Sequence, residues 1–303
     1  MIDWTGKRYW LIGASEGLGR ELALCLSRAG AEVIVSARSE DRLRALVAEL
    51  PGRARAVPLD VRASEAVTAA TLTVRFNQDA DLYKDKAVRV ALVKAVDNAV
   101  VLELGYSGRG RVAENHHVCP IHPEYAELPP LSPNPSEAKA MLDATGKGDQ
   151  EFELISIDDA WQADTCNAVA AQMRDAGINV KRTVLPGSTF WNDWLKYPFS
   201  ATEWNMRPLG VQVLNLAYRT GEAWNEAAFS NAEFDTLMAK ANSIADADAR
   251  SEVMKRVEEI MQEEGVMVQP YWRSLFRHYD AKVHGAEMHP TFEHHHYKWW
   301  VAA

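Results

Sequence analysis

The sequence predicts a mixed α/β chain made of two unlike parts, and three stretches carry that expectation. Tyr9–Ala29 reads as strand, glycine-rich turn and helix; Asp85–Gly105 repeats apolar residues with a helical period; Glu151–Leu185 reads as strand, helix and strand. At 303 residues, 47% apolar and 25% charged, the chain has the composition of a globular protein with one large or two smaller domains. A net charge of −9 argues against a nucleic-acid or anionic-membrane surface, so no nucleic-acid partner is expected. Cys25, Cys119 and Cys166 are odd in number and form no CxxC, which predicts free thiols. No apolar run reaches the length of a membrane span.

Taken in order, Tyr9–Ile12 is an apolar strand, followed by Gly13-Ala-Ser15-Glu-Gly17-Leu18-Gly19. Arg20–Ala29 reads as a helix with Leu22, Leu26 and Ala29 on one side, and Glu32–Arg38 as a buried strand. Asp41–Leu50 is again helical and Ala54–Val61 a third strand, a β-α-β-α-β run that demands a parallel sheet. Glycines between a strand and a helix let the backbone approach a pyrophosphate at the helix N-terminus. The GxxxGxG spacing, with Arg38 ending the second strand and Asp60-Val61 the third, resembles the start of the short-chain dehydrogenases/reductases, and so a partial Rossmann unit over residues 1–70. That resemblance implies a nucleotide site of Gly13, Ser15, Gly17, Leu18, Gly19, Arg38, Asp60 and Val61, with Arg38 favouring NADP. The family's Asn-Ala-Gly segment is missing, and none of the nine tyrosines has lysine four residues later. Without that general acid, weak NADP binding at most is expected, no cofactor is required and no enzyme activity follows. An NAD(P)-dependent reductase is the competing reading.

From residue 71 the chain changes character. Thr71–Asn77 is strand-like, and Asp85–Gly105 is expected to be one helix with Val88, Ala91, Leu92, Ala95, Val96, Ala99 and Val100 inward. Lys86, Arg89, Lys94 and Asp97 then face away, with Asp85 as N-cap and Gly105 as the left-handed stop. Gly105–Pro133 reads as a long loop, Asn134–Gly146 as a capped helix, and Glu151–Ile157, Asp159–Ala176 and Asn179–Leu185 as the second β-α-β unit. Phe190–Leu195 is a short helix and Pro198–Trp204 a strand. Ala232–Ile244, capped by Asn231 with Phe234, Leu237, Met238 and Ala241 inward, and Ala247–Glu264, capped by Asp246 with Val253, Val257, Ile260 and Met261 inward, are amphipathic helices. Val266–Trp272 is a buried strand.

Thr71–Asn77 followed by KAVRVALVKAVDNAVV, with Pro120-Ile-His-Pro-Glu-Tyr125 and the capped helix at Asn134, resembles family 5 of the ABC-transporter solute-binding proteins, the dipeptide, oligopeptide and nickel group. Residues 71–303 then correspond to the second α/β lobe of a type II periplasmic-binding-protein-like fold. Residues 266–303 would be the strand and tail that return to a first lobe lying outside this sequence. The resemblance implies capture of a peptide or small solute for an ABC permease. It also implies a periplasmic location, although Met1–Trp10 carries no signal-peptide pattern, which as written reads as cytoplasmic. Such proteins run a tryptophan-bearing strand into their cleft, here Trp204-Asn205-Met-Arg207. Peptide binders place an aspartate soon afterwards; this chain places Arg207, whose planar fork suits a carboxylate. The plainer reading is a surface arginine. His116, His117, Cys119 and His122 match no closed metal-site spacing, and His294-His295-His296 cannot all face one ion from a strand, so no metal is expected. Phe292, Tyr297, Trp299 and Trp300 would lose their covering lobe, so the tail is expected either to dock on residues 1–70 or to drive self-association.

Overall fold

The computed structural model describes residues 4–57, 63–280 and 282–301. Asp60, Val61 and the end of the expected third strand lie outside the described residues. The chain divides into two compact units, one of Met1–Ala66 with Phe276–Ala303 and one of Val67–Leu275.

The first unit opens with β1 (Arg8–Ile12), α1 (Gly17–Arg28), β2 (Glu32–Ser36), α2 (Glu40–Glu49) and β3 (Ala54–Ala56). The three strands are parallel in the order β1-β2-β3. Val33 and Val35 of β2 pack with Ala23, Leu24, Leu43 and Leu46 from the two helices. Leu22, expected inward, is exposed, and Ala23, Leu24 and Ser27 are buried instead. The helix begins at Gly17 rather than Arg20, which shifts its buried face. β1 stands at the sheet edge with Trp10 and Ile12 more than half exposed.

The second unit is built on a larger sheet. Its strands are β4 (Ala63–Phe76), β5 (Gly110–Val112), β6 (Phe152–Ile157), β7 (Val180–Leu185), β8 (Phe199–Trp204), β9 (Met267–Val268) and β10 (Tyr271–Tyr279). Their order is β5-β10-β4-β8-β6-β7, with β9 also beside β4. Side chains alternate along a strand, and β4 uses both faces. Leu72, Val74 and Phe76 enter an apolar core, and Phe76 stacks on Phe199 of β8 at 4.9 Å. Thr71, Thr73 and Arg75 are equally buried on the polar face. β6 and β7 pair in parallel around α6 (Ala160–Asp175), the expected β-α-β unit.

The stretch Asp85–Gly105 is not one helix. It forms α3 (Lys86–Lys94) and α4 (Asn98–Tyr106), and Asp97 is the N-cap of the second, accepting from Ala99 N at 2.8 Å. Gln172 of α6 clamps the break, bonding both Asp97 N and Asp97 O. The new helix starts in a different phase, so Asn98, Val101 and Leu102 are buried while Ala99 and Val100 are exposed. Arg89, expected to face solvent, is buried and donates to the carbonyls of Tyr83, Lys84 and Glu264. Nor is Gly105 the stop: the left-handed residue is Ser107, with φ 53°. Gly105 instead lets α4 approach α6, since a Cβ there would lie 2.7 Å from Thr165 Cα.

A further helix layer comprises α8 (Gly210–Tyr218), α9 (Ala232–Asn242) and α10 (Ala247–Glu263), joined by Phe234, Met238, Val257, Ile260 and Met261. α5 (Pro135–Ala144) and α7 (Gly187–Asp193) complete the helices of this unit. The strand expected over Val266–Trp272 is divided at Gln269-Pro270 into β9 and β10, because proline cannot donate to a ladder. In the first unit the C-terminal residues pair β11 (Val283–His284) with β12 (Trp300–Val301). Tyr297 and Trp300 are largely exposed there, and Phe292 and Trp299 more than a third. No helix among the described residues is long and apolar enough to cross a membrane.

Candidate functional site

Because β8 alternates, Thr202 and Trp204 lie on the same face as Thr73 and Arg75 of β4, opposite the Phe76–Phe199 stack. Glu226 meets that face from the loop after α8. Its Oε1 accepts from Trp204 Nε1 at 2.7 Å and from the Thr202 hydroxyl, and its Oε2 pairs with Arg75 Nε at 3.2 Å. The side chains of Arg75 and Glu226 are essentially inaccessible, and burial is the main influence on the guanidinium, lowering its pKa. The other two Arg75 nitrogens donate to the carbonyls of Trp194 and Tyr197. Arg75 thus ties the segment after α7 to the sheet.

Above this buried layer opens a cavity of about 380 Å³, lined by Trp191, Trp194, Thr202, Glu203, Trp204, Asn205, Arg207 and Trp224. Four tryptophans run edge-to-face around it: Trp191 on Trp194 at 6.1 Å, Trp194 on Trp224 at 6.2 Å and Trp224 on Trp204 at 6.0 Å. Trp204 is buried, whereas Trp191 and Trp224 are nearly half exposed. Glu203 is neutralised by Arg273, whose guanidinium also lies over the Trp161 ring at 4.5 Å. The Arg207 side chain, half-buried, has no anion and no hydrogen-bond acceptor among the described residues.

The structure therefore brings the three residues expected in the cleft, Trp204, Asn205 and Arg207, to one cavity wall. Sequence reasoning missed Trp191, Trp194 and Trp224, although seven of the ten tryptophans follow Gly187. It also missed Glu226, which no spacing marks.

The loop of His116, His117, Cys119 and His122 holds the site from below. His122 donates from Nε2 to Arg207 O at 2.9 Å and accepts Cys119 N at Nδ1, so the imidazole clamps the turn bearing Arg207. His117 bonds Tyr218 OH at 2.7 Å and meets Trp204 edge-on; burial drives its pKa down to about 3, which keeps it neutral. Glu124 accepts Gly210 N at the start of α8 and pairs with Arg250. These polar side chains position the cavity wall.

At the N-terminal end, Gly13 and Gly17 have positive φ and open space where a Cβ would be, and a Cβ at Gly19 would lie 2.5 Å from Gly13 O. Leu18 and Arg38 are exposed and Ser15 is half-buried. Gly13, Ser15, Gly17, Leu18 and Gly19 thus share the turn and first helical turn after β1, and Arg38 follows β2.

Residues 45–225 match the family model of the bacterial extracellular solute-binding proteins, family 5, in its middle part. The chain belongs to this family. Its N-terminal residues 7–78 also match the short chain dehydrogenase model. The dipeptide-binding protein DppE of Bacillus subtilis is 21% identical over 231 residues, 72% of this chain and 42% of DppE. L-xylulose reductase of Caenorhabditis elegans is 46% identical over 68 residues, 22% of this chain and 27% of the reductase. Among solved structures, the oligopeptide-binding protein AppA of B. subtilis in complex with a nonapeptide superposes with a TM-score of 0.68 at 22% identity, covering 80% of this chain and 53% of AppA. The family 5 member thus spans about half the length of the solute-binding relatives it matches.

Proposed function

We propose that this chain contributes the tryptophan-lined wall of a solute site, serving extracytoplasmic capture of a peptide or carboxylated small solute for an ABC permease. The observation that carries the reading is Arg207, a half-buried guanidinium with no partner among the described residues, on an aromatic cavity wall. The indoles supply apolar area, and the free fork orients a carboxylate. DppE and AppA, by their names, bind dipeptides and oligopeptides, which favours peptidic ligands over other acids. A charge-assisted hydrogen bond contributes about 1.5–3 kcal/mol, too little to hold a solute against association entropy with one wall alone. Calorimetry with an acidic tripeptide is expected to give a Kd of roughly millimolar. C-terminal amidation of the peptide, or Arg207→Ala, should weaken it by about tenfold or more. Equal affinity for the acid and the amide in the parent chain would sink the assignment of Arg207.

A second reading rests on the glycine turn. The space beside Gly13 and Gly17 fits a phosphate at the head of α1, so Gly13, Ser15, Gly17, Leu18, Gly19 and Arg38, with Asp60 and Val61 beyond the described residues, are proposed to bind NADP weakly. The nicotinamide half would be unheld, because the described residues supply one mononucleotide unit, the β1-β2-β3 sheet. Fluorescence titration with NADPH is expected to show weak binding that Gly17→Val removes, with no substrate-dependent oxidation. Steady NADPH turnover would restore the reductase reading. The exposed Trp299 and Trp300 are proposed as a self-association surface.

A further inference from the structure

We propose that His289, Glu293 and His295 form a binding site for one borderline divalent cation of the zinc or nickel class, on the C-terminal part of the first unit. One ligating atom from each lies within 4.8 Å of the others. His295 Nε2 is 2.9 Å from Glu293 Oε2, and His289 Nδ1 is 3.9 Å from Glu293 Oε1. A tetrahedral ion with ligand bonds near 2.0–2.1 Å requires ligand atoms about 3.3 Å apart. The two separations lie on either side of that value and all three atoms lie within 4.8 Å, so the ligand atoms need to close by at most about 1.5 Å to share one ion. Two imidazoles and one carboxylate select zinc-like or nickel-like ions over calcium and magnesium, which prefer oxygen.

Neighbouring groups prepare this arrangement. Thr291 holds His289 Nδ1 and Glu293 Oε1 side by side, its Oγ1 2.9 Å from the first and 3.1 Å from the second and its N–H donating to Nδ1, contacts that an ion joining the two would replace. Phe292 has φ 62°, and its N–H returns to His289 O at 3.0 Å, which folds the chain so that Glu293 comes back towards His289. Arg277 of β10 donates to the carbonyls of Ala286, Glu287 and Glu293, fixing the loop on either side of the triad.

The three consecutive histidines are split by this geometry. His295 turns to His289, with ring centroids 5.2 Å apart. His294 and His296 stack on each other at 5.5 Å and lie against Trp299. Three protein ligands leave a coordination position for water or a chelating solute. The site shares no residue with the tryptophan cavity, so it stands whether or not the solute-binding reading holds.

The test is calorimetry of the metal-free full chain with Zn2+ and Ni2+, each as its chloride, together with the visible spectrum of the Co2+-loaded protein. One ion per chain is expected, with tetrahedral or five-coordinate Co2+ absorption. His289→Ala and His295→Ala should each weaken binding at least tenfold, and Glu293→Gln several-fold. The double variant His294→Ala/His296→Ala should stay within about threefold of the parent. The five residues changed in these four variants lie at the surface of the C-terminal segment, and unchanged far-ultraviolet circular dichroism checks each fold. Absence of binding overturns the proposal. So does binding that survives His289→Ala but is lost in the double variant, which would mark a loose polyhistidine surface.

Discussion

Replacing Glu226 by alanine is expected to destabilise the chain by about 3–5 kcal/mol, the usual cost of leaving one member of a buried ion pair alone. Arg75 is fully buried in β4, and Glu226 is its carboxylate partner. The same carboxylate accepts from Trp204 and Thr202, so its loss also leaves an indole N–H and a hydroxyl without their acceptor. Glu226→Gln should cost less, because the amide oxygen still accepts from Trp204 while the charge on Arg75 goes unmatched. Arg75→Met/Glu226→Leu should recover most of the loss, since apolar replacement of a buried pair is often neutral. Urea denaturation of the parent, Arg75→Met, Glu226→Leu and Arg75→Met/Glu226→Leu closes a double-mutant cycle, with Glu226→Ala and Glu226→Gln measured beside it. A loss below about 1 kcal/mol in Glu226→Ala would show that the pair is solvated. The variant should also disorder the cavity wall, because Arg75 holds the carbonyls of Trp194 and Tyr197.

The second large effect is expected from Glu258 and depends on pH. This carboxyl of α10 is buried against Glu114, Glu124 and His116, with Ala126 N as a hydrogen-bond donor. Burial, reinforced by the two neighbouring carboxylates, pushes its pKa from 4.5 up to about 9. The folded state therefore keeps a proton that the unfolded state has released between those two pH values, so stability falls as pH rises through that window. His117 acts on the other limb. Its folded pKa of about 3 lies below the unfolded 6.5, so the unfolded state takes up the proton first and stability is lost as pH falls from 6.5 towards 3. Glu258→Gln removes the alkaline limb and leaves the acid one. At pH 9 the variant should be more stable than the parent by on the order of 3 kcal/mol, with little difference at pH 5. Thermal melts at pH 5, 7 and 9 decide it, and parallel pH profiles for the two proteins would refute the assignment of Glu258.

Much of the fold was legible because its signals are local. The β6-α6-β7 unit, the caps Asp85, Asn134, Asn231 and Asp246, and the inward faces of α9 and α10 follow from period and capping chemistry within a few residues. The site was half legible. Trp204, Asn205 and Arg207 are contiguous in sequence and share one wall. Trp191, Trp194 and Trp224 are spread over 34 positions, and only the register of β8 against β4, with the loop around Glu226, brings their rings together.

By itself the sequence determined a strand-turn-helix start, a larger α/β part and an arginine in the turn that follows β8. It also supplied a continuous helical pattern across Asp85–Gly105, which the structure breaks. Asp97 can cap a helix or sit within one, and period alone cannot choose between them. The choice fell to Gln172 from α6, which holds both the N–H and the carbonyl of Asp97, and to Asn98, whose amide bonds Ala113 O, Asn115 and Gln269 O from distant segments. Arg75 and Arg89 followed the same logic. Each is charged and was expected or free to face water, yet each is buried: Glu226 and the carbonyls of Trp194 and Tyr197, all more than a hundred residues away, satisfy Arg75, and the equally distant Glu264 joins the nearby carbonyls of Tyr83 and Lys84 on Arg89. Local propensity is a matter of about 1 kcal/mol per residue or less. A buried polar group left without partners costs more than that, so where the two conflicted the tertiary hydrogen bonds prevailed.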